Sequence, residues 1–507
     1  MPDALHQRFT PFQNRWRLTG TLTTESPLHI GDGFSVDDRL DVVDGVKREV
    51  QTICRNAAGA PFIPASSLKG PLRAWLKAAG LFQSDERWRE LFGSDSDDAE
   101  SARGGKLSFW DCRRSETQPP TFTEETQPTY WNAGSQTAVS VSVSIDRRTR
   151  TALEHHLFHI EHVPAGVEFA VELSAQNISE DDVCHLLGLL DQFNGSNITL
   201  GAGNVHGWGR VSWKLGKVYR LDAAAIASWL ENNGTVPVGY AAATTEVTDL
   251  TSQSFSARRR SLTVNIQLRF NSPLLVRDSS KGEKNRKFNA KLAEGSENLR
   301  KADTVALLDA SGTPFVPERA ARGVIRSQVE RILRTLGEDV PDPAKVEAVY
   351  ELAAASALDK ASKLFGASGW RGPVSLSDFT TVPGTTSENF DQDFVAIDRF
   401  TGAAATGKKF DVKAVTGACL QGTIHVDLKR LALVGADSYA PGLLALVLRD
   451  LCEGDLTFGS GAAKGYGACT ASATIQSETG SGAPVTEWFA SEQVRKSLST
   501  LRAQQNP

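Results

Sequence analysis

The chain has 507 residues and a mass of 54.7 kDa, room for two large domains or three ordinary ones. Hydrophobic residues make up 40% and charged residues 23%, which excludes a disordered chain. With 55 basic against 60 acidic residues the formal charge is −5. That excludes a small, wholly basic module of the histone type but leaves room for a local positive groove.

No apolar run is long enough to span a bilayer, so no membrane contact is expected. The start, Met1-Pro2-Asp3-Ala4-Leu5-His6, lacks the charged-then-apolar pattern of a secretion signal, and a cytoplasmic protein is expected. The six cysteines are scattered without a CxxC pair or a histidine at ligand spacing. Reduced thiols and no zinc follow.

In chain order, Trp16 to Leu22 alternates with period two and reads as an opening strand. Ser66 to Leu76 reads as a helix: Ser66 and Ser67 are cap candidates, and Leu68, Leu72, Trp75 and Leu76 recur at helical spacing. Ser115 to Thr137 reads as a long irregular loop. Val167 to Leu173 alternates as a strand, and Asp181 to Phe193 reads as a helix with acids at its start. Arg277 to Lys301 is a basic loop. A second helix of the Ser66 type begins near Pro317, with Val324, Ile325 and Val329 on one face. Phe379 to Asp393 reads as another irregular loop.

The order of blocks then repeats. Ser26-Pro27-Leu28 returns as Ser272-Pro273-Leu274. Pro61-Phe62-Ile63-Pro64-Ala65-Ser66-Ser67-Leu68-Lys69-Gly70-Pro71-Leu72-Arg73 is matched by Pro314-Phe315-Val316-Pro317 through Arg322-Gly323-Val324-Ile325-Arg326. Leu91-Phe92-Gly93 pairs with Leu364-Phe365-Gly366, and Ile145-Asp146-Arg147-Arg148-Thr149 with Ile397-Asp398-Arg399-Phe400-Thr401. Gly201-Ala202-Gly203-Asn204-Val205-His206-Gly207-Trp208-Gly209 pairs with Gly459-Ser460-Gly461-Ala462-Ala463-Lys464-Gly465-Tyr466-Gly467. A common offset of about 250 residues makes the chain two copies of one α+β domain. The division is 1–240, a linker at 241–260, 261–480, and a C-terminal tail at 481–507.

The glycine block, with Gly201, Gly203, Gly207 and Gly209 in one copy and Gly459, Gly461, Gly465 and Gly467 in the other, is neither a dinucleotide fingerprint nor a Walker loop, so no nucleotide cofactor is expected. Its bare backbone can approach a phosphate chain or another stretch of protein. Trp208 and Tyr466 share one position in it, and packing is favoured over base stacking. Lys69 and Arg73, four apart, share a helix face, and Arg322 and Arg326 hold the same places in the second copy. No acid completes i,i+4 pairs in the first copy, which favours anion contact near a helix N-terminus. His155, His156, His159 and His162 suggest a metal, but Lys408, Lys409 and Lys413 fill the matched segment, which suits a phosphate-facing hairpin better.

These motifs, with His162-Val163-Pro164-Ala165-Gly166-Val167-Glu168-Phe169, resemble the RAMP superfamily, and within it the Cas-seven-type backbone subunits of type III CRISPR effector complexes. Two units in one polypeptide are similar to arrangements in the type III-D branch. The resemblance implies two tandem modified ferredoxin-like (RRM-like) domains, each with an inserted β-hairpin thumb. It implies guide RNA held along its backbone, target RNA paired to it, and a thumb that kinks the duplex. Lys69, Arg73, Arg322, Arg326 and both glycine blocks map to guide contacts, with Arg147 and Arg399 at the thumb base. The implied partners are further RAMP backbone subunits, a large polymerase-like subunit and a small subunit.

The resemblance also implies a loop acid that cleaves target RNA with a divalent metal, Mg2+ being expected. Asp303 falls at that place in the second copy and is the candidate catalytic and metal-holding residue. In the first copy the place falls at Glu49, and Asp38 or Asp44 in the preceding loop are the other candidates. The alternative is a scaffold of the same complex that leaves cleavage to other subunits. A guide-processing nuclease of the Cas-six type expects a histidine base, and no histidine recurs at matched positions.

Overall fold

The structure, a computed structural model, describes residues 11–36, 49–94, 104–115, 122, 128, 130–145, 152–194, 197–204, 207–231, 245–255, 261–278, 302–309, 311–341, 346–476 and 482–503. The predicted opening strand is Asn14–Thr24 (β1), with Trp16, Leu18 and Leu22 turned inward. Gly31–Val36 (β2) and Val50–Ile53 (β3) follow, then the predicted helix, Ala65–Ala78 (α1). Its buried residues are Leu68, Leu72, Trp75 and Leu76, the four that the spacing selects.

Ala138–Ile145 (β4) and Ala152–His162 (β5) form a long antiparallel hairpin. Glu168–Gln176 (β6) comes next, then Glu180–Leu190 (α2). Ser179 and Asp182 close a reciprocal capping box at the start of α2. Val211–Asp222 (β7) completes the unit. β1 lies between β6 and β7, antiparallel to both, at the centre of the palm sheet.

The second unit repeats this plan with Ser261–Phe270 (β8), Thr304–Val305 (β9) and Glu318–Thr335 (α3). Its hairpin is Glu388–Ile397 (β10) and Ala404–Thr416 (β11). Cys419–Asp427 (β12), Ala440–Glu453 (α4) and Cys469–Gln476 (β13) complete it, with β8 antiparallel between β12 and β13. Each palm has its own large core. The result is two tandem α+β units of ferredoxin-like type, each carrying a hairpin thumb. Each thumb is joined to the body by a short parallel pairing, β3 with β5 (Val50 opposite His159) and β9 with β11 (Thr304 opposite Val412).

Three expectations change. The Phe379 to Asp393 stretch is not simply a loop, because Thr380–Thr381 pairs with β12 and Glu388 onward is the rising strand of the thumb. Residues 245–255, expected to be linker, pack on the first unit. Thr245 and Glu246 pair with β7, and Phe255 sets its ring 5.7 Å from both Trp75 and Trp88. Val247, Leu250 and Phe255 supply apolar anchors in a polar stretch. The C-terminal tail also folds: the Oγ of Ser497 accepts the Gly442 N–H at 2.8 Å, and Val494 and Leu501 are buried. Most of Ser115 to Thr137 and of Arg277 to Lys301 lies outside the described residues. No helix among the described residues is long and apolar enough to cross a membrane.

Candidate nucleic-acid interface

The glycine blocks lie against the Ser-Pro-Leu segments with the same hydrogen bonds in both units. The Ala202 N–H donates to the His29 carbonyl at 2.8 Å, and Ser460 to Leu275 at 2.7 Å. Gly209 donates to Pro27 and Gly467 to Pro273, both at 2.8 Å. All eight glycines have positive φ. A Cβ on Gly201 or Gly209 would collide with the carbonyls of His29 or Leu200, and one on Gly459 or Gly467 with those of Leu275 or Phe458. These contacts correct the expectation of free donors: several of the block's amides are engaged within the protein, and the glycines answer to close approach of its own backbone. Trp208 and Tyr466 are 6% and 4% exposed, so both pack.

The basic helix positions divide by unit. Arg73 donates to the carbonyls of Gly93 and Ser94 at 3.2 and 3.0 Å, and its guanidinium lies over Phe82. Arg326 donates to the Gly366 carbonyl at 3.0 Å and pairs with Glu330 at 3.0 Å. The repeated arginine thus ties the helix to the repeated Phe-Gly turn. Arg322 is 7% exposed; its guanidinium donates to the carbonyls of Val374 and Phe365 and lies over the Phe365 ring. Phosphate contact by Arg322 is therefore not carried by this geometry, because the guanidinium is enclosed and occupied. Lys69, at the matching place, is half-buried, and burial followed by the nearby Arg73 charge holds its ammonium below the usual lysine range.

The expected anion site at the helix starts is filled from within. The Ala65 N–H donates to Asp111 Oδ1 at 2.8 Å, and the Glu318 N–H to Asp378 Oδ1 at 2.8 Å. Motif reading missed these carboxylates, because Asp111 and Asp378 lie 267 residues apart (378 − 111), off the spacing of about 250 shared by the matched blocks. It also missed Asp32 and Asp278, six residues after Ser26 and Ser272. Asp32 accepts from Thr52 Oγ1 at 2.8 Å, and the Asp278 N–H donates to the Val305 carbonyl at 2.9 Å.

Glu49 and Asp303 occupy one place in the two units, each immediately before the short strand that runs parallel to the returning thumb strand. Asp303 is half-buried and its Oδ2 accepts the Asp411 N–H at 3.0 Å. Glu49 is exposed. Beside Asp411, Phe394 and Phe410 stack at 5.1 Å, and the Lys464 ammonium sits 4.3 and 4.1 Å from their centroids. A glycine-block lysine, a thumb and Asp303 thus meet within one neighbourhood. Asp38, Asp44 and Arg147 lie outside the described residues.

Arg399, expected at the thumb base, stands instead at the tip. It lies in the turn between β10 and β11, where Asp398 accepts the Phe400 and Thr401 N–H groups at 2.8 and 3.0 Å. Those bonds hold the Asp398 carboxyl below the usual range. The Ile-Asp-Arg block is a turn former. Phe400 beside it is fully exposed, and Lys408, Lys409 and Lys413 are exposed along β11, with Lys409 paired to Asp393 at 2.9 Å. In the first thumb His159 and His162 are buried, not phosphate-facing. Burial drives His162 down to about 4, assisted by the charge of Arg319 and by His29 and opposed by its bond to the Ile160 carbonyl.

The family model for the RAMP superfamily matches residues 21–212 and again 267–470. No curated protein gives a significant match. The two matched stretches coincide with the two palms and their thumbs, and together they cover well over half of the chain: the protein belongs to the RAMP superfamily of CRISPR-associated RNA-binding proteins, as a tandem of two such units.

Proposed function

We propose that the chain is a guide-RNA-binding backbone subunit of a type III CRISPR ribonucleoprotein of the III-D-like branch. It positions complementary target RNA and cuts it with Asp303 and, at the matching place, Glu49. The observation that carries this reading is the shared position of these acids at the root of each thumb. Exposed Arg399, Lys408, Lys413 and Lys464 around the second thumb supply cations for a sugar–phosphate chain. Phe400, fully exposed at the tip, supplies a wedge for a base step. The partners are guide RNA, target RNA, further RAMP backbone subunits, a large polymerase-like subunit and a small subunit, in the cytoplasm.

A nucleotide displaced by the thumb can align its 2′-hydroxyl with its own phosphate. The Asp411 amide orients one Asp303 oxygen. The other takes the 2′-hydroxyl proton as the O2′–P bond forms and the P–O5′ bond breaks, and the departing O5′ takes a proton from solvent water, leaving a 2′,3′-cyclic phosphate and a 5′-hydroxyl. The nucleophile restricts the reaction to RNA. Asp303 is also the residue that would hold Mg2+, an ion bound through one or two carboxylates together with phosphate oxygens and water; holding it would occupy the oxygen otherwise free to take the proton, so the acid serves one role or the other. Bound there, the ion would neutralise charge developing on the phosphate. Among the described residues the close acidic trio is Asp450, Glu453 and Asp455, none of them in a thumb.

A scaffold without cleavage is the second reading, favoured for the first unit by Glu49 in place of aspartate. The test is guide-loaded complex with labelled complementary RNA. Asp303→Ala should remove one cut position and leave guide binding intact, and an unchanged ladder assigns cleavage to other subunits.

A further inference from the structure

Phe255 fills a cleft between helices of the first unit. Its ring lies 5.7 Å from those of Trp75 on α1 and Trp88 on the short helix Glu86–Phe92, and 6.2 Å from that of His185 on α2. The Gln253 N–H donates to the Cys184 carbonyl at 3.0 Å, and the Ser252 hydroxyl donates to Asp191 Oδ2 at 2.5 Å. Gly188 leaves room for this stretch, since a Cβ there would stand 1.9 Å from the Gln253 carbonyl oxygen. The segment that follows the first unit thus seals the space beside α1 and α2 with an aromatic anchor.

The corresponding cleft of the second unit is open. Gln328 stands two residues after Arg326, as Trp75 stands after Arg73, and Ala361 stands three before Leu364, as Trp88 stands before Leu91. Both tryptophans that receive Phe255 are replaced. α3 also runs to 18 residues against 14 for α1. The result is a groove of about 240 Å³ between α3 and α4, floored by Ile332, Leu336 and Leu446 and edged by Arg331, Thr335 and Arg449. Gln328 donates to Asp450 Oδ2 at 2.5 Å across its inner wall. Arg449 pairs with Asp450 at 2.6 Å, which neutralises that acid, whereas Arg331 is exposed and forms no ion pair among the described residues.

An apolar floor under one uncompensated positive charge remains. The volume is below the roughly 300–1,000 Å³ of small-molecule sites, which suits one anchoring side chain better than a cofactor. The segment that follows the second unit is used elsewhere: the Ser497 Oγ accepts the Gly442 N–H, Val494 and Leu501 are buried, and no described residue of 482–503 lines the groove.

We propose that this groove docks an extended segment of a different polypeptide, one carrying an aromatic or long apolar anchor with a carboxylate beside it. The anchor occupies the floor of Ile332, Leu336 and Leu446, and the carboxylate meets Arg331. Residues 245–255 give the pattern within this chain, with Phe255 as anchor and Glu246 and Asp249 as the acids. The inference is independent of RNA binding and of cleavage.

The test uses full-length, RNA-free protein and a fluorescein-labelled peptide with the sequence of residues 245–255, followed by fluorescence anisotropy. The first cleft already holds its tethered segment, so the free peptide reports on the second. Saturable binding with a Kd below about 1 mM is expected. The peptide carrying Glu246→Lys and Asp249→Lys should bind at least about fivefold more weakly, as should the protein variants Arg331→Glu and Leu446→Glu. Arg495→Glu, exposed on the tail helix Glu492–Ala503, should bind like wild type. Unchanged thermal unfolding shows which variants fold. The proposal is overturned if the peptide does not bind saturably, if the charge-swapped peptide binds equally well, or if affinity survives in folded Arg331→Glu protein. Peptide-free chains that self-associate in sedimentation velocity, and cease to do so with Arg331→Glu, would place a second copy in the groove and overturn the choice of a different polypeptide.

Discussion

The two units share a backbone plan but place different chemistry on it. In the first, β4 and β5 make a thumb of alternating valine and serine with histidines, and the acid before β3 is Glu49. In the second, the thumb carries lysines, acids and a bare Phe400, and the acid before β9 is Asp303, held by a backbone amide. At the helix position Lys69 is half-buried, whereas Arg322 is enclosed by backbone carbonyls. Matched motif positions therefore do not imply matched roles. The arginine that ties the helix to the Phe-Gly turn is structural in both copies, while the residue one helical turn before it differs.

The largest expected contrast is in cleavage. Asp303→Ala should slow its cut by about 10²–10⁴-fold, the usual share of a positioned acid or base. Glu49→Gln should affect a different cut, and only if the first unit is active. Equal losses at one shared position would break the assignment of one acid to each unit, and a ladder assay reads this directly.

Stability should divide the helix residues the other way. Arg322→Ala removes the guanidinium that the buried carbonyls of Val374 and Phe365 accept from and that neighbours Glu318, and should cost about 3–5 kcal/mol in denaturant unfolding. Lys69→Ala should cost about 1 kcal/mol or less, as substitutions away from buried networks do. Similar costs at both sites would mean that Lys69 has a structural role too.

Acid should act through the buried His162. His162 titrates near 4 in the fold against 6.5 when unfolded, so the unfolded chain binds its proton first. Its contribution is full above pH 6.5 and is lost as pH falls toward 4, by about 3 kcal/mol at most. The wild-type minus His162→Phe difference in unfolding free energy, followed from pH 7 to pH 4, measures it. A difference that does not change with pH contradicts the buried neutral imidazole beside Trp208 and Arg319.

Much of this architecture is legible in the chain. The period-two runs and the Leu68, Leu72, Trp75, Leu76 spacing give the strands and α1, because burial on one face demands those periods. The ordered repeats give the tandem. The site is less legible, since a glycine or an arginine suits a phosphate and the protein's own carbonyls equally well. Only the packed structure shows Arg73 on Gly93, Gly209 against Leu200 and Asp111 at the start of α1. The Ile-Asp-Arg block reads as the wrong end of the thumb because turn formers and anchors look alike in sequence. A short motif does not reveal which strand it ends.

The central claim is that the chain holds an RNA backbone through basic side chains, Lys464 beside the second thumb and Lys69 on α1 among them, and the measurement closest to it is guide-RNA affinity as a function of salt. For single-stranded RNA the log–log slope changes by about 0.7 for each phosphate neutralised by the protein. Wild type should show a steep slope, and Lys69→Ala and Lys464→Ala should each flatten it by about that amount while Arg322→Lys, where it folds, leaves it unchanged. Affinity that is insensitive to salt and to both lysine substitutions would contradict the account.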